Sequence, residues 1–389
     1  MATKLDISQL DFDGIKDNLK TFLSQQDEFT DYDFEGSGMN VLLDVLAYNT
    51  HYLGYNANML ANEMYLDSAD QRSSVVSLAK QVGYTPRSAS ASQATIDVVV
   101  NNASGASLTM SRGTKFTTTV DGTNYSFVNN ADVSISPADG VYKFSNLVVY
   151  EGTYLNYKYT ANTTDTDQRF IIPNDNVDTT TLTVKIQESS SDSTTNTYSL
   201  ASGITNIDST SKVYFLQEVE NGRFEVYFGD GVLGQSIKDG NIVILDYISC
   251  NLDEPNSASS FILSGTIGGF VAATITTIKS ASGGDAPETI KSIKYNAPRD
   301  YSSQDRAVTA DDYKVLVKSL YANAQSVQVY GGEDAAVPDY GKVYVSIKAK
   351  SGSNLTEVTK ASLVQSLKSF AVASVTPVII DPETTFITI

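Results

Sequence analysis

The sequence predicts a multidomain α+β protein with three regions: an N-terminal long-helix bundle segment (1–88), an antiparallel β-rich middle domain (89–279) and a small layered C-terminal α+β domain (280–389). Two observations predict this organisation. The spacing of apolar residues changes from helical to alternating near residue 95, and becomes mixed after residue 280. A small, polar stretch lies at each change, as is typical of domain joints.

The sequence pattern of the N-terminal region predicts three helices, of which the second is unusually long. Ser37 is the predicted N-cap of this helix, which spans residues 40–66. In the third helix, Ser68 and Gln71 have the spacing of a capping box, and Gly83 suits the residue that follows a helix.

The long helix carries two apolar stripes about a third of a turn apart. The tyrosine stripe has coiled-coil spacing and consists of Val41, Val45, Tyr48, Tyr52, Tyr55 and Met59. The leucine stripe consists of Leu42, Leu46, Leu53, Ala57, Leu60 and Met64. We expect the two short flanking helices to cover one stripe together.

A stripe left in water would be a larger apolar patch than a monomer normally shows. The sequence therefore predicts an interface with another chain, formed by the tyrosine stripe and His51. The asparagines of the helix would then set its register within a bundle. The alternative is that the β domain folds back over the second stripe.

The middle domain alternates apolar and polar residues in short runs rich in Thr, Val, Tyr and Ile. The predicted strands are TIDVVV, KFTTTV, YKFSNLVVY, TLTVKI, KVYFLQEV, RFEVYF and NIVILDYI. Three dipeptides predict tight hairpin turns: Asp121-Gly122, Asn221-Gly222 and Asp239-Gly240. The polar stretch 188–203 predicts a loop or an outward excursion.

The predicted order of elements in the C-terminal domain is helix–strand–strand–helix–strand–strand. This order predicts helices packed on one face of a small sheet. Thr309 is the predicted N-cap of its first helix, where Asp311 and Asp312 favour the positive end of the helix dipole. The last predicted strand is 385–389.

Charge and hydropathy exclude two classes of partner. The net charge is −18, with 6 basic and 13 acidic residues in 1–90, 9 and 20 in 91–275, and 12 of each in 276–389. The first two regions would repel a phosphate backbone, so we predict no nucleic-acid binding. No apolar run approaches the ~18 residues that predict a membrane span.

Nothing in the sequence demands catalysis or a cofactor. His51 is the only histidine, so no histidine-based metal cluster or catalytic triad can form within the chain. Cys250 is the only cysteine and is predicted to be buried and inert. The segment 229–234 formally matches G-x-G-x-x-G, but no helix follows it, so a structural turn is predicted at Phe228, Gly229, Asp230 and Gly231.

Three stretches together resemble a known family. Residues 33–89 resemble the N-terminal region of the baseplate wedge proteins of large contractile-tailed bacteriophages. Residues 223–247 resemble the strand–FGDG–strand signature of the wider baseplate J-like family, and 299–317 resemble the segment that opens its last α+β unit. The three matches keep the family's order along the chain.

The resemblance implies a non-enzymatic structural protein of the virion, located in the tail baseplate and assembled in the host cytoplasm. In the family, two copies join in each wedge and clamp other wedge proteins through their N-terminal helices. Neighbouring wedges form a sixfold ring around the hub, whose rearrangement is coupled to sheath contraction. Ring contacts are expected in the last domain, including Arg306, Asp311 and Tyr313.

Two other functions are compatible with the sequence. The Thr- and Tyr-rich β region is compatible with a tail component that binds or cleaves carbohydrate. A contractile injection system outside a phage is compatible with the same residues. The chain ends within a predicted strand, so we expect either a longer protein or a last strand that pairs with a neighbour's sheet.

Overall fold

The structure is a computed structural model that describes residues 11–25, 32–100, 105–138, 141–165, 167–201, 207–303, 306–321, 324–335, 337–349 and 355–382. The chain forms two compact units, Met1–Val82 and Gly83–Ile389.

The helices in these ranges are α1 (Phe12–Leu23), α2 (Gly38–Glu63), α3 (Arg72–Gln81), α4 (Ile290–Ser303), α5 (Ala310–Leu320) and α6 (Glu357–Lys368). The strands are β1 (Gln93–Val100), β2 (Leu108–Met110), β3 (Lys115–Val120), β4 (Thr123–Asn129), β5 (Val133–Ile135), β6 (Tyr142–Glu151), β7 (Thr153–Thr160), β8 (Phe170–Ile171), β9 (Val177–Ser189), β10 (Asp192–Leu200), β11 (Val213–Glu218), β12 (Phe224–Phe228), β13 (Ile242–Ser249), β14 (Ile262–Ser264), β15 (Ala273–Ser282), β16 (Ala324–Gly331), β17 (Lys342–Ala349) and β18 (Thr376–Ile380).

The first unit contains the three predicted helices. Ser37 caps α2 as predicted, because its side chain accepts a hydrogen bond from the Asn40 amide. The capping box predicted for α3 is wrong: the Ser68 hydroxyl donates instead to the carbonyl of Asn62. The segment before α3 is held instead by Glu63, at the end of α2. Its carboxylate accepts hydrogen bonds from the amides of Asp70 and Gln71.

The second unit contains two large sheets, each with its own apolar core. The first has the strand order β14-β3-β4-β6-β1-β15, and the second β7-β13-β9-β10-β11-β12-β8. Within these two sheets the paired strands run antiparallel except β10 and β11, which are parallel. A three-stranded sheet, β16-β17-β18, packs against α5 and α6 around a third core. These regions confirm the predicted fold class.

Two hairpin turns occur where the dipeptides predict them. Asp121 and Gly122 link β3 to β4, and both have positive φ. Asn221 and Gly222 link β11 to β12 in the same way. The hairpin predicted at Asp239-Gly240 is absent, since the strands before and after this dipeptide, β12 and β13, are not neighbours in the sheet.

Other details of the prediction also need correction. The loop predicted within 188–203 is wrong for residues 192–200, because β10 continues the sheet there by pairing with β9. Helix α4 was not predicted, and it contains Pro298. The capping box at Thr309 is present at the start of α5. The predicted strand 385–389 lies outside the described residues.

A buried ionic network connects the two large sheets. Arg112 lies between β2 and β3, and its guanidinium donates to the carboxylate of Asp246 on β13, 3.2 Å away. Lys185 on β9 contacts the same carboxylate at 3.1 Å. Burial acts to raise the pKa of Asp246, but hydrogen bonds from Asn156, Tyr154 and Lys185 outweigh it, and the pKa is lowered. The ionised carboxylate is therefore the form that the fold stabilises.

Candidate protein interaction surface

The side of α2 that packs within its own unit carries none of the stripe residues. Asn40, Leu43 and Ala47 are buried, and α1 lies along this helix. Lys16 of α1 forms an ion pair with Asp44 of α2 at 2.5 Å. The apolar stripes therefore do not provide the internal packing of α2.

Both stripes are instead exposed. The large side chains of the tyrosine and leucine stripes expose between 42% and 69% of their surface. The expectation that the flanking helices jointly cover one stripe is wrong, because α1 packs on the side that carries Asn40, Leu43 and Ala47. At 100° per residue the two stripes together span about 200° of the helix circumference. More than half of this 26-residue helix thus presents apolar side chains to its surroundings.

The middle of the tyrosine stripe is organised by contacts between its own aromatic rings. The rings of Tyr48 and Tyr52 meet edge to face with centroids 4.7 Å apart, and the Tyr48 hydroxyl donates to that of Tyr52 at 3.1 Å. This hydrogen bond raises the pKa of Tyr48. His51 is half-buried, with its ring 6.3 Å from that of Tyr52. With Tyr55, these residues line a shallow cleft along the helix.

Two asparagines lie between the stripes. Asn49 and Asn56 are exposed and seven residues apart, so they share one line along the helix. By contrast, the Asn62 side chain donates to that of Asn58 at 3.3 Å on the half-buried side. The exposed apolar surface of α2, which we call the α2 surface, therefore consists of both stripes with Asn49 and Asn56 along its centre.

The FGDG segment forms a compact turn after β12. The Asp230 carboxylate accepts hydrogen bonds from the amides of Val232 and Leu233, which lowers its pKa. Gly231 has a φ of +90°, and its amide donates to the carbonyl of Gly234. Phe228, which precedes the turn, packs against the second core. No helix begins at Gly234, so the geometry needed to bind a pyrophosphate at a helix N-terminus is missing from this segment.

Replacing Gly229 with alanine is expected to destabilise this turn by about 1–3 kcal/mol, the usual range for overpacking. A Cβ atom there would lie 2.2 Å from the Leu233 carbonyl oxygen and 2.4 Å from that of Gly234. Hydrogen exchange of β12 measures the effect. Gly331→Ala is the control, because its Cβ would meet only the flexible Glu333 side chain at 3.4 Å. Equal exchange in the two variants would contradict the expectation.

The residues predicted for ring contacts lie in different environments. Arg306 and Asp311 are exposed. Asp311 forms an ion pair with Lys314 at 2.9 Å, which lowers its pKa. Tyr313 is 1% exposed and belongs to the C-terminal core, so its side chain is not part of the outer surface.

The described residues offer little for metal or thiol chemistry. Within them, no group of three or more His, Cys, Asp and Glu side chains is placed to hold a metal ion. Burial raises the pKa of the Cys250 thiol to about 12, which disfavours the reactive thiolate. In the same part of the chain, no helix has the length and apolar character to span a bilayer.

Comparisons with known proteins agree along the length of the chain. Residues 11–84 match the model of the helical domain of gp6-like baseplate wedge proteins. Residues 157–258 match the third domain of the bacteriophage baseplate wedge protein gp6, and 309–380 match C-terminal domain I of the baseplate structural protein gp6. The domains follow the order of the helical, β-rich and α+β regions.

A curated relative extends these matches. The chain is 31% identical over 404 residues to the baseplate wedge protein gp6 of Enterobacteria phage T4, covering 97% of this chain and 59% of the relative. A solved structure, the sixfold-symmetrised baseplate of the anti-feeding prophage, is similar with 10% identity and a TM-score of 0.35, covering 95% of this chain and 78% of that chain. At that TM-score, the second likeness supports no conclusion.

The three matched domains define a structural protein of the phage tail baseplate. Within that class, the chain belongs with the gp6 family of baseplate wedge proteins. It spans 59% of the length of the curated relative that it matches.

Sequence reasoning missed the side of α2 that faces inward and the ionic network at Arg112. The stretch that holds Arg112 has no motif, and its partner Asp246 is 134 residues further along the chain. The buried side of α2 left a weak signal, since small residues recur at Ala47, Gly54 and Ala61.

Proposed function

We propose that the chain is a non-enzymatic structural subunit of a contractile-tail baseplate wedge, and that it works by binding other protein chains along α2. The observation that supports this most strongly is the exposure of both apolar stripes on one helix. Each large apolar side chain contributes about 1.5–3 kcal/mol when it is removed from water. Covering the α2 surface with partner helices is therefore strongly favourable.

We assign the tyrosine stripe, with His51 at its edge, to a second copy of the chain. Tyrosine is enriched in protein interfaces because it combines a large apolar ring with a polar hydroxyl. The leucine stripe is assigned to a different wedge protein. Two stripes about a third of a turn apart can contact two helices at once, as in a bundle.

Asn49 and Asn56 are assigned to the register of this bundle. A polar residue enclosed among apolar ones stabilises only the alignment in which it finds a hydrogen-bonding partner. Their seven-residue spacing repeats after two helical turns, so both can meet the same partner helix.

The last domain is assigned to contacts between neighbouring wedges in the sixfold ring, with Arg306 and Asp311 as exposed candidates. This ring would surround the hub and couple its rearrangement to sheath contraction. The subunit would be assembled in the host cytoplasm and retained in the tail baseplate of the virion.

The proposal predicts that the purified chain sediments as a dimer or larger species at micromolar concentration. It also predicts slow hydrogen exchange of α2 in assembled tails and faster exchange in the isolated chain, because partner helices protect the amides. A compact monomer that is absent from tails would contradict the proposal.

The carbohydrate alternative gains no support from the relatives, whose names describe structural baseplate proteins. Incubation with host surface polysaccharide tests it directly. Binding or cleavage by the purified chain would revive it, whereas the wedge proposal expects neither.

A further inference from the structure

The C-terminal α+β region contains a cleft whose lining includes neither residues of the α2 surface nor the exposed ring candidates Arg306 and Asp311. It has a volume of about 340 Å³ and lies between the start of α5 and the connection from β16 to β17. Valine side chains form much of its wall, including Val308, Val329 and Val343. At the mouth, Val308 and Tyr340 expose 65% and 79% of their surface. An apolar wall that continues into an exposed apolar rim is typical of a docking site for another chain.

Tyr313 contributes to the wall of this cleft through its ring. The residue lines the cleft but is 1% exposed, and its hydroxyl is enclosed within the protein. An occupant therefore cannot reach this hydroxyl, and the wall favours an apolar side chain.

The charge at the mouth is unbalanced. Lys342 forms an ion pair with Asp339 at 2.7 Å, so its charge is compensated within the chain. Glu333 also lines the cleft and is exposed, and it has no ion-pair partner in the described part of the chain. The uncompensated charge is therefore negative, which favours an occupant that carries a basic side chain.

We propose that this cleft binds a segment of another protein chain that inserts an apolar side chain between Val308, Val329 and Val343. A lysine or arginine beside the inserted residue faces Glu333. The inference rests on the proposed function only in taking the occupant to be a protein.

A photo-crosslinking residue, p-benzoylphenylalanine, placed at Tyr340 in assembled tails tests the occupant. The expected product joins Tyr340 to a peptide of a different protein in which an apolar residue neighbours a lysine or arginine. The same crosslinker at Tyr52 of α2 serves as the reference. A product at Tyr52 but none at Tyr340 would overturn the cleft inference alone, and no product at either position would also contradict the proposed function.

Binding of a synthetic version of that peptide to the full chain then tests the chemistry. Glu333→Lys reverses the charge at the mouth, so it is expected to weaken binding about threefold to tenfold. Asp334→Lys, at the next exposed position outside the cleft lining, is expected to change it less than twofold. Equal binding by the Glu333 and Asp334 variants would overturn the role assigned to Glu333.

Discussion

Glutamate substitutions at both Val45 and Tyr52 are expected to weaken self-association of the chain by about 10²- to 10⁴-fold. The two side chains lie seven residues apart in the tyrosine stripe and are 60% and 49% exposed. Covering both contributes about 3–6 kcal/mol to association. Two carboxylates at the same positions would also have to lose their water, so the stated range is a lower bound.

Sedimentation velocity across a concentration series measures this effect. Val271→Glu is the matched control, because Val271 is 72% exposed and lies outside α2. That variant is expected to associate like the unchanged chain. Glutamates at Leu46 and Leu53 are expected to leave self-association intact and to remove binding of the second wedge protein. If the Val45 and Tyr52 variant still formed dimers, the assignment of the tyrosine stripe would be wrong.

Replacing Asp246 with asparagine is expected to destabilise the contact between the two large sheets by about 3–5 kcal/mol. The carboxylate is 2% exposed, and Arg112 and Lys185 both contact it. Asparagine removes the negative charge but leaves both cations in place. The buried guanidinium of Arg112 would then lack its compensating charge, which is the costly result of breaking a buried ion pair.

Hydrogen exchange of β3 and β13 measures this effect locally, which suits a chain with several cores because multidomain proteins commonly depart from two-state unfolding. Asp311→Asn is the control, because its pair with Lys314 is exposed and such pairs contribute about 0–1 kcal/mol. Equal exchange in the two variants would refute a role for the Arg112 network in holding the sheets together.

The loss in the Asp246 variant should also depend on pH. The pKa of Asp246 is lowered in the folded chain, so its contribution to stability is fully present above the unfolded value of about 3.9. It is lost as the pH falls through the folded pKa, because protonation then removes the charge in both states. The difference from the unchanged chain is therefore expected to be constant between about pH 5 and 8 and to shrink below about pH 4.

The elements most accessible from the sequence were those fixed by local chemistry. The Ser37 and Thr309 caps and the turn at Asp121-Gly122 depend on residues within a few positions of one another. Such contacts form independently of the tertiary fold, so they can be predicted from the local sequence alone. The same rules failed at Asp239-Gly240, where the neighbouring strands are chosen by the whole sheet and not by the turn.

The interaction surface shows a second limit. The spacing of apolar residues located both stripes of α2, but it did not show which side of the helix packs within its own unit. The buried side carries Asn40, Leu43 and Ala47, whereas the residues of the two apolar stripes stay exposed. Apolar periodicity identifies surfaces that will be covered, but it does not identify what covers them.

A helix that must be covered on two sides also makes assembly cooperative. Before assembly, the apolar stripes of α2 are exposed to water, and the first helix to bind restricts the motion of the whole helix. The second then loses less conformational freedom on binding, so the two events favour each other even where the partners never touch. We expect half-built wedges to be scarce at equilibrium, with free subunits and completed ones as the main populations.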